Sequence, residues 1–469
     1  MTRVSENFLC TACNSTVLQW VGRCPQCSEW NTLVAIAADL GSRATTGGRA
    51  TTTVVPLRHV DSHACSLLAT GVSELDRVLA GGLVGGSATL VYGPPGVGKS
   101  TLLFQVLAAV AASGVDVVLA SAEESLAQVS GRALRIGPVP DHLLALEGHD
   151  VGAIERAIAR HRPALAVVDS IQSIADPELP QAAGSLAQVR ACVERLTRLA
   201  KTTGVPIVMV GHVTKDGDLA GPRAIEHLVD TVLSFEGDRH HALRVLTAVK
   251  HRFGSTGEVG IFEMRDDGLR AVPDPGPLLL GDRMTGVAGS VVVPVLQGRR
   301  PLLVEVQALL SPSGQAGGRP RAVGIDPARV ALLLAVLGSR AGLMIGAGTE
   351  VFVAAVGGIT ITEPAGDLAV ILAIASAYLD HTIPPDMVAF GELGLAGELR
   401  TVAGTDRRLA EAQRAGFNWA IVPESTPDDA IPPGFNAYRV RTLSEAIAVA
   451  LVDGQPGTMP PWLTAAASR

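Results

Sequence analysis

The chain has 469 residues, 47% of them hydrophobic, and a formal net charge of −7. That length allows two to four domains with real cores. The acidic balance excludes a global positive field, so any nucleic-acid contact must come from a local patch or from loops.

The N-terminal stretch Met1 to Cys13 is polar, and no uninterrupted apolar run reaches the roughly 18 residues that a bilayer span needs. The expectation is a soluble, cytoplasmic protein with no membrane partner. The cysteines are clustered: Cys10-x2-Cys13 and, ten residues further on, Cys24-x2-Cys27 take four of the six. Two such knuckles predict one tetrahedral Zn²⁺ held by four thiolates at about 2.3 Å. A reducing compartment argues against disulfides, and a closed four-thiolate shell makes the zinc structural rather than catalytic. Cys65 and Cys192 stand apart and read as small buried hydrophobes. Residues 1–30 thus form a zinc module too short for a core of its own. Residues 31–65, with the small, polar run Gly41 to Gly48, read as a flexible linker.

The apolar run Ala88 to Tyr92 is followed by Gly93-Pro94-Pro95-Gly96-Val97-Gly98-Lys99-Ser100, then Thr101 and a helical stretch from Leu102. This fits G-x-x-x-x-G-K-[ST] in its strand–loop–helix context and predicts an ATP site. The glycines let backbone N–H groups surround phosphate oxygens at a helix N-terminus. Lys99 would reach the β- and γ-phosphates, and Ser100 would ligate Mg²⁺. Lysine is scarce, four of the 38 Lys and Arg residues (Lys99, Lys201, Lys215, Lys250). A composition so biased keeps Lys mainly where a slender ammonium does what a guanidinium cannot.

Short apolar runs at Val115–Ala120, Ala164–Val168 and Val205–Val210 alternate with helical stretches such as Gln188–Lys201. That alternation predicts a mostly parallel sheet with helices on both faces over residues 66–272. Asp169 ends the second run, where a carboxylate can hold the Mg²⁺ shell. Glu123 and Glu124 follow the first, at the strand ends where ligands bind in such folds. One of them would orient the attacking water, and Glu123 is the choice. His212 and Thr214, after the third run, are placed to sense the γ-phosphate. Lys250-His251-Arg252-Phe253-Gly254 puts two fixed cations beside a turn, suited to a phosphoryl transition state across a subunit boundary. Pro273, Pro275 and Pro277 mark a connection over 273–284. Residues 285–455 then form an α/β or α+β unit. Its strands are expected at Gly289–Leu296, Leu302–Ala308 and Val351–Val356, and its helices at Ala328–Ser339, Asp367–Leu379 and Arg407–Ala415. Residues 456–469 read as a frayed tail.

Over essentially its whole length the chain resembles the bacterial RadA (Sms) family of DNA-repair ATPases, relatives of RecA. The likeness rests on the zinc module with Trp20 and Trp30, on the P-loop, and on Val213-Thr214-Lys215-Asp216-Gly217. It rests also on the Lys-Asn-Arg-Phe-Gly signature, read here as Lys250-His251-Arg252-Phe253-Gly254. The change of Asn to His251 keeps both cations. The resemblance implies a RecA-like core and a ring-shaped homo-hexamer with ATP sites between subunits. It implies binding of single-stranded DNA and branched recombination intermediates, branch migration, and a RecA-type recombinase as partner. DNA-facing candidates are the loop after Ser170 and the one carrying Lys215 and Arg223, with Lys250 and Arg252 coupling ATP to DNA.

The third unit resembles the Lon protease domain but lacks its dyad. Ala365 stands where the serine belongs, and Asp406 follows Val402-Ala403-Gly404-Thr405 where the lysine belongs. A proteolytically inactive scaffold is expected, with Arg299, Arg300, Arg319 and Arg321 as DNA-binding candidates. The expected function is a DNA-dependent ATPase of the translocase or helicase type. A nucleotide-gated DNA-binding scaffold is the alternative, and Ala365 and Asp406 disfavour an ATP-dependent protease.

Overall fold

The computed structural model describes residues 7–10, 16–17, 21–27, 29–30, 32–36, 66–212, 224–237, 243–312, 320–346 and 348–451. By internal contacts the chain forms two units, Met1–Ser62 and His63–Arg469. In the first, strands Thr16–Val17, Asn7–Cys10 and Leu33–Ile36 form an antiparallel sheet in that order. Cys13, Cys65, Trp20, Arg319, the 213–223 stretch with Lys215 and Arg223, and most of the expected linker and tail lie outside the described residues.

The larger unit carries a nine-stranded sheet. Its order is Gly268–Ala271, Val259–Arg265, Leu243–His251, Thr231–Glu236, Ala88–Gly93, Ile207–His212, Leu165–Asp169, Val117–Ser121 and Leu143–Glu147. The last six of these pair in parallel. Apart from the half-exposed edge strand Leu143–Glu147, their near-continuous apolar runs are buried on both faces, as strands covered by helices on each side must be. One face packs against Leu102, Leu103 and Val106 of the Lys99–Ala111 helix. The other packs against Ile154 and Ile158 of Val151–His161 and Val189, Val193 and Leu196 of Leu186–Thr203. Cys192 belongs to that second core, and burial pushes its thiol up to about 11.

The α/β class, the mostly parallel sheet and the helices on both faces are those expected from the sequence. The antiparallel extension over Leu243–Ala271 was not expected. Leu243–His251 alternates between half-buried and buried positions, the mark of a strand with one face partly open.

Residues beyond Gly289 form a mixed seven-stranded sheet, ordered Arg321–Val323, Thr349–Ala355, Arg300–Pro312, Ser290–Gln297, Met387–Ala389, Trp419–Pro423 and Asn436–Val440. Helices Pro327–Ala341, Asp367–Leu379 and Thr405–Arg414 lie near their expected positions. The core of this layer takes in Val259, Ile261 and Val272 from the antiparallel end of the first sheet. Polar bonds reinforce the seam. Arg300 pairs with Glu74, which is fully buried, and donates to the Val259 carbonyl at 3.1 Å and the Pro273 carbonyl at 2.6 Å. The Arg299 guanidinium reaches Ser255 at 3.2 Å. These two arginines, candidates for DNA binding in the sequence, lie at the seam between layers: Arg300 is drawn to the buried Glu74 carboxylate and Arg299 to the Ser255 hydroxyl. Arg321 stays exposed, lying over the Phe352 ring. Among the described residues no helix is long and apolar enough to cross a membrane.

Candidate functional site

The phosphate-loop candidate leaves the sheet at Gly93, where a Cβ would sit 2.1 Å from the Phe235 carbonyl oxygen. Gly98 has φ of +110°, and a Cβ there would also approach Met264 Cε to 2.6 Å. Both positions therefore exclude a side chain. The Lys99–Ala111 helix starts at Gly98 with no side-chain cap and no acidic residue in its first turn. Its first N–H groups thus lack a side-chain partner from the protein. Lys99 is 4% exposed, and its ammonium donates to the carbonyls of Gly93 at 2.8 Å and Pro94 at 3.1 Å. Burial pushes its pKa down, against the pull of Asp169 and Glu123. Among the described residues no carboxylate is ion-paired with it. A glycine-lined turn, an uncapped helix start and a buried ammonium without a counter-ion fit a phosphate group.

The strand registers bring the acidic residues to this edge. His212 is paired with Gly93, and Ser121 with Asp169, so four strand ends meet there. Glu123, Asp169 and His212 place one ligand atom each within 4.8 Å of one another. Asp169 bonds the Ser100 hydroxyl, yet burial dominates and raises its carboxyl above the ordinary value. Among the described residues no cation is ion-paired with this carboxylate, which suits the hard divalent metal that accompanies a nucleotide.

Glu123 Oε1 accepts from the hydroxyls of Ser170 and, at 3.1 Å, Ser173. His212 Nε2 lies 3.3 Å from the same oxygen. Burial works to raise this carboxyl, but the two hydroxyls and His212 outweigh it and hold it below its ordinary value. Glu124 accepts from Arg132 at 3.0 Å, and both line the same small pocket as Ser100, Glu123 and Asp169. Glu123 differs in being held by two hydroxyls and His212 rather than by a guanidinium. Ser170 and Ser173 belong to no motif, and their signal in the sequence is a pair of hydroxyls within four residues of the Asp169 strand end.

Lys250, His251 and Arg252 do not join this cluster within the chain. Lys250 pairs with Val232, itself level with Leu90, so the segment lies near the opposite strand ends from Gly93. Three residues of strand separate the two levels, roughly 10 Å. The Lys250 ammonium donates to the carbonyls of Glu226 at 2.7 Å and Val229 at 2.9 Å. His251 Nδ1 is 3.0 Å from Thr231 Oγ1, and the Arg252 guanidinium donates to Asp230 Oδ1 at 2.9 Å.

In the N-terminal unit, the Sγ atoms of Cys10, Cys24 and Cys27 lie within 4.8 Å of one another. Cys10 and Cys27 are 3.6 Å apart, close to the roughly 3.8 Å edge of a tetrahedron with Zn–S bonds of about 2.3 Å. The donor set fits zinc. Trp30 is 67% exposed, with the Arg23 guanidinium 5.8 Å from its ring centre.

In the C-terminal layer Ala365 is fully buried, and Asp406 lies in the first turn of Thr405–Arg414. The two segments are stapled by Arg408, fully buried, whose guanidinium bonds Glu363 in a fork at 2.7 and 2.5 Å.

Residues 55–218 match the AAA domain family, residues 8–35 the rubredoxin metal binding domain, and residues 359–426 the subunit ChlI of Mg-chelatase. The DNA repair protein RadA of Halalkalibacterium halodurans is 42% identical, over 96% of this chain and 100% of its own. That of Mycobacterium tuberculosis is 45% identical, over 95% of this chain and 93% of its own. The crystal structure of the RadB recombinase is 24% identical and covers 43% of this chain and 98% of its own, with a TM-score of 0.35.

Proposed function

Because the chain belongs to the RadA family of DNA repair proteins, we propose that this ATP-hydrolysing repair protein is a DNA-dependent translocase of recombinational repair. On this reading it binds single-stranded DNA and drives branch migration of recombination intermediates, as a cytoplasmic homo-hexamer working beside a RecA-type recombinase. The observation that carries the ATPase chemistry is the meeting of Lys99, Ser100, Glu123, Asp169 and His212 at one edge of the parallel strands.

Bound there, ATP with Mg²⁺ supplies a γ-phosphoryl group open to attack by water. Backbone N–H groups from Gly93 to Thr101 would hold its phosphates, and Lys99 would exchange the Gly93 and Pro94 carbonyls for phosphate oxygens. The Ser100 hydroxyl and Asp169 would hold the metal. Glu123, ionised at neutral pH, would orient the water and accept its proton. His212 ends its strand beside Glu123 and begins the stretch carrying Lys215 and Arg223, the proposed DNA contacts. It is therefore placed to report phosphate state to DNA.

Lys250 and Arg252 lie too far from their own loop to serve it. A phosphate they meet belongs to DNA or to a neighbouring subunit's nucleotide, which supports the ring reading. Zinc on Cys10, Cys13, Cys24 and Cys27 would hold the N-terminal module together. With Ala365 and Asp406 in place of a dyad, the C-terminal layer acts as a scaffold.

The test is ATP turnover with and without single-stranded DNA. Wild type is expected to be stimulated. Lys99→Ala is expected to lose turnover under both conditions, and Glu123→Gln to bind ATP while turning it over at least 100-fold more slowly. An unstimulated wild type would sink the DNA-dependent reading.

A further inference from the structure

Asp230 is 2% exposed and tied to the strand that feeds the phosphate loop: its N–H donates to the Ala88 carbonyl at 2.9 Å, and its Oδ2 accepts from the Ala88 N–H at 3.1 Å. Its other oxygen, Oδ1, faces two cations at once. Arg252 donates to it at 2.9 Å from one direction and Lys201, near the end of the Leu186–Thr203 helix, at 3.3 Å from another. Both cationic side chains are about half exposed, while the carboxylate is not. The backbone of Arg252 is held separately, its N–H donating to the Asp230 carbonyl at 3.1 Å.

A buried carboxylate that loses its only cation is left uncompensated at considerable cost. With two cations on one oxygen, either can leave while the other neutralises the charge. Lys250 has no such freedom, since its ammonium is held by two carbonyls, whereas among the described residues Arg252 makes a single side-chain bond and keeps its remaining N–H donors.

We propose that Asp230 stores the Arg252 side chain and that Lys201 is the stand-in counter-ion, so that Arg252 can swing to a phosphate oxygen while its backbone stays fixed. This rests on the reading of Arg252 as a phosphate-binding residue. It adds Lys201 and Asp230 as positioning residues and separates Arg252, which moves, from Lys250, which does not. The phosphate is that of a DNA backbone or of a nucleotide on an adjacent subunit.

The test uses the full-length protein. Affinity is measured for a fluorescent single-stranded oligonucleotide and, without DNA, for a fluorescent ATP analogue, alongside basal and DNA-stimulated turnover. Lys201→Met is expected to weaken binding of the phosphate ligand roughly fivefold and to lower stimulation. Lys201→Arg is expected to restore both. Asp230→Asn is expected to act in the opposite direction by loosening the hold on Arg252. Lys201→Met added to Asp230→Asn is expected to have no further effect, because no charge remains to be neutralised.

A loss confined to the oligonucleotide or to the ATP analogue supports the exchange and identifies the source of the phosphate. Should Arg252→Ala bind both probes and respond to DNA like wild type, the underlying reading of Arg252 fails. If Arg252→Ala loses binding while Lys201→Met matches wild type, the exchange itself is overturned. If Asp230→Asn does not fold, the two Lys201 variants decide.

Discussion

The Lys250 ammonium sits 2.7 Å from the carbonyl oxygen of Glu226 and binds Val229 at 2.9 Å with a second N–H, fastening the end of one strand to the segment that leads into the next. A slender point donor fits between two carbonyls; a planar guanidinium with fixed donor directions does not. Lys250→Met is expected to leave both carbonyls without this donor and to destabilise the protein by about 1–3 kcal/mol. Lys250→Arg should recover little of that. Urea unfolding midpoints of the two variants test the point, and a Lys250→Arg protein as stable as wild type would contradict it.

His251 lies between Lys250 and Arg252 in the chain and is buried. Burial lowers its pKa from the ordinary 6.5. An imidazole harder to protonate when folded binds more protons unfolded, so stability is full above 6.5 and falls as pH drops through that value toward the lower folded pKa. His251→Asn, the residue of the family signature, is expected to flatten this acid loss. Melting temperatures of both proteins at pH 7.5 and 5.5 check it, and parallel curves would show that His251 is not the acid-sensitive group.

Cys10, Cys24 and Cys27 are gathered as a thiolate set. One equivalent of zinc per chain is expected, released by a strong chelator together with the fold of the N-terminal unit. Cys24→Ser should lower the zinc content measured by atomic emission. A full equivalent retained in that variant would exclude Cys24 as a ligand.

Arg300 and Glu74 form the polar joint between the layers. Arg300→Ala would leave a fully buried carboxylate with only Arg77, 3.2 Å away, as counter-ion. A loss of about 3 kcal/mol is expected, read as a shift in thermal or denaturant midpoint. A change confined to DNA affinity would instead return Arg300 to the nucleic-acid surface.

Much of the nucleotide-binding half is legible in local pattern. Val117–Ser121, Leu165–Asp169 and Ile207–His212 are short apolar runs bounded by turns, and Asp169 ends its run because a strand buried on both faces tolerates a carboxylate only at its edge. The scarcity of lysine singles out Lys250 in the sequence, and in the structure two backbone carbonyls hold its ammonium. Long-range pairing is not written locally. Nothing around Arg300 announces a partner 226 positions away, and nothing in Glu123-Glu124 says which one Arg132 will take. The glycine of the signature has a reason visible only in three dimensions: a Cβ at Gly254 would come within 2.8 Å of both His251 Nε2 and Ala80 Cβ.

Val259, Ile261 and Val272 belong to the ATPase sheet by strand and loop, yet their side chains are packed in the core of the following layer. Severing the polypeptide in the 273–284 connection would therefore strip the cover from a greasy seam on both halves. An isolated nucleotide-binding fragment is a poor choice for expression or crystallisation.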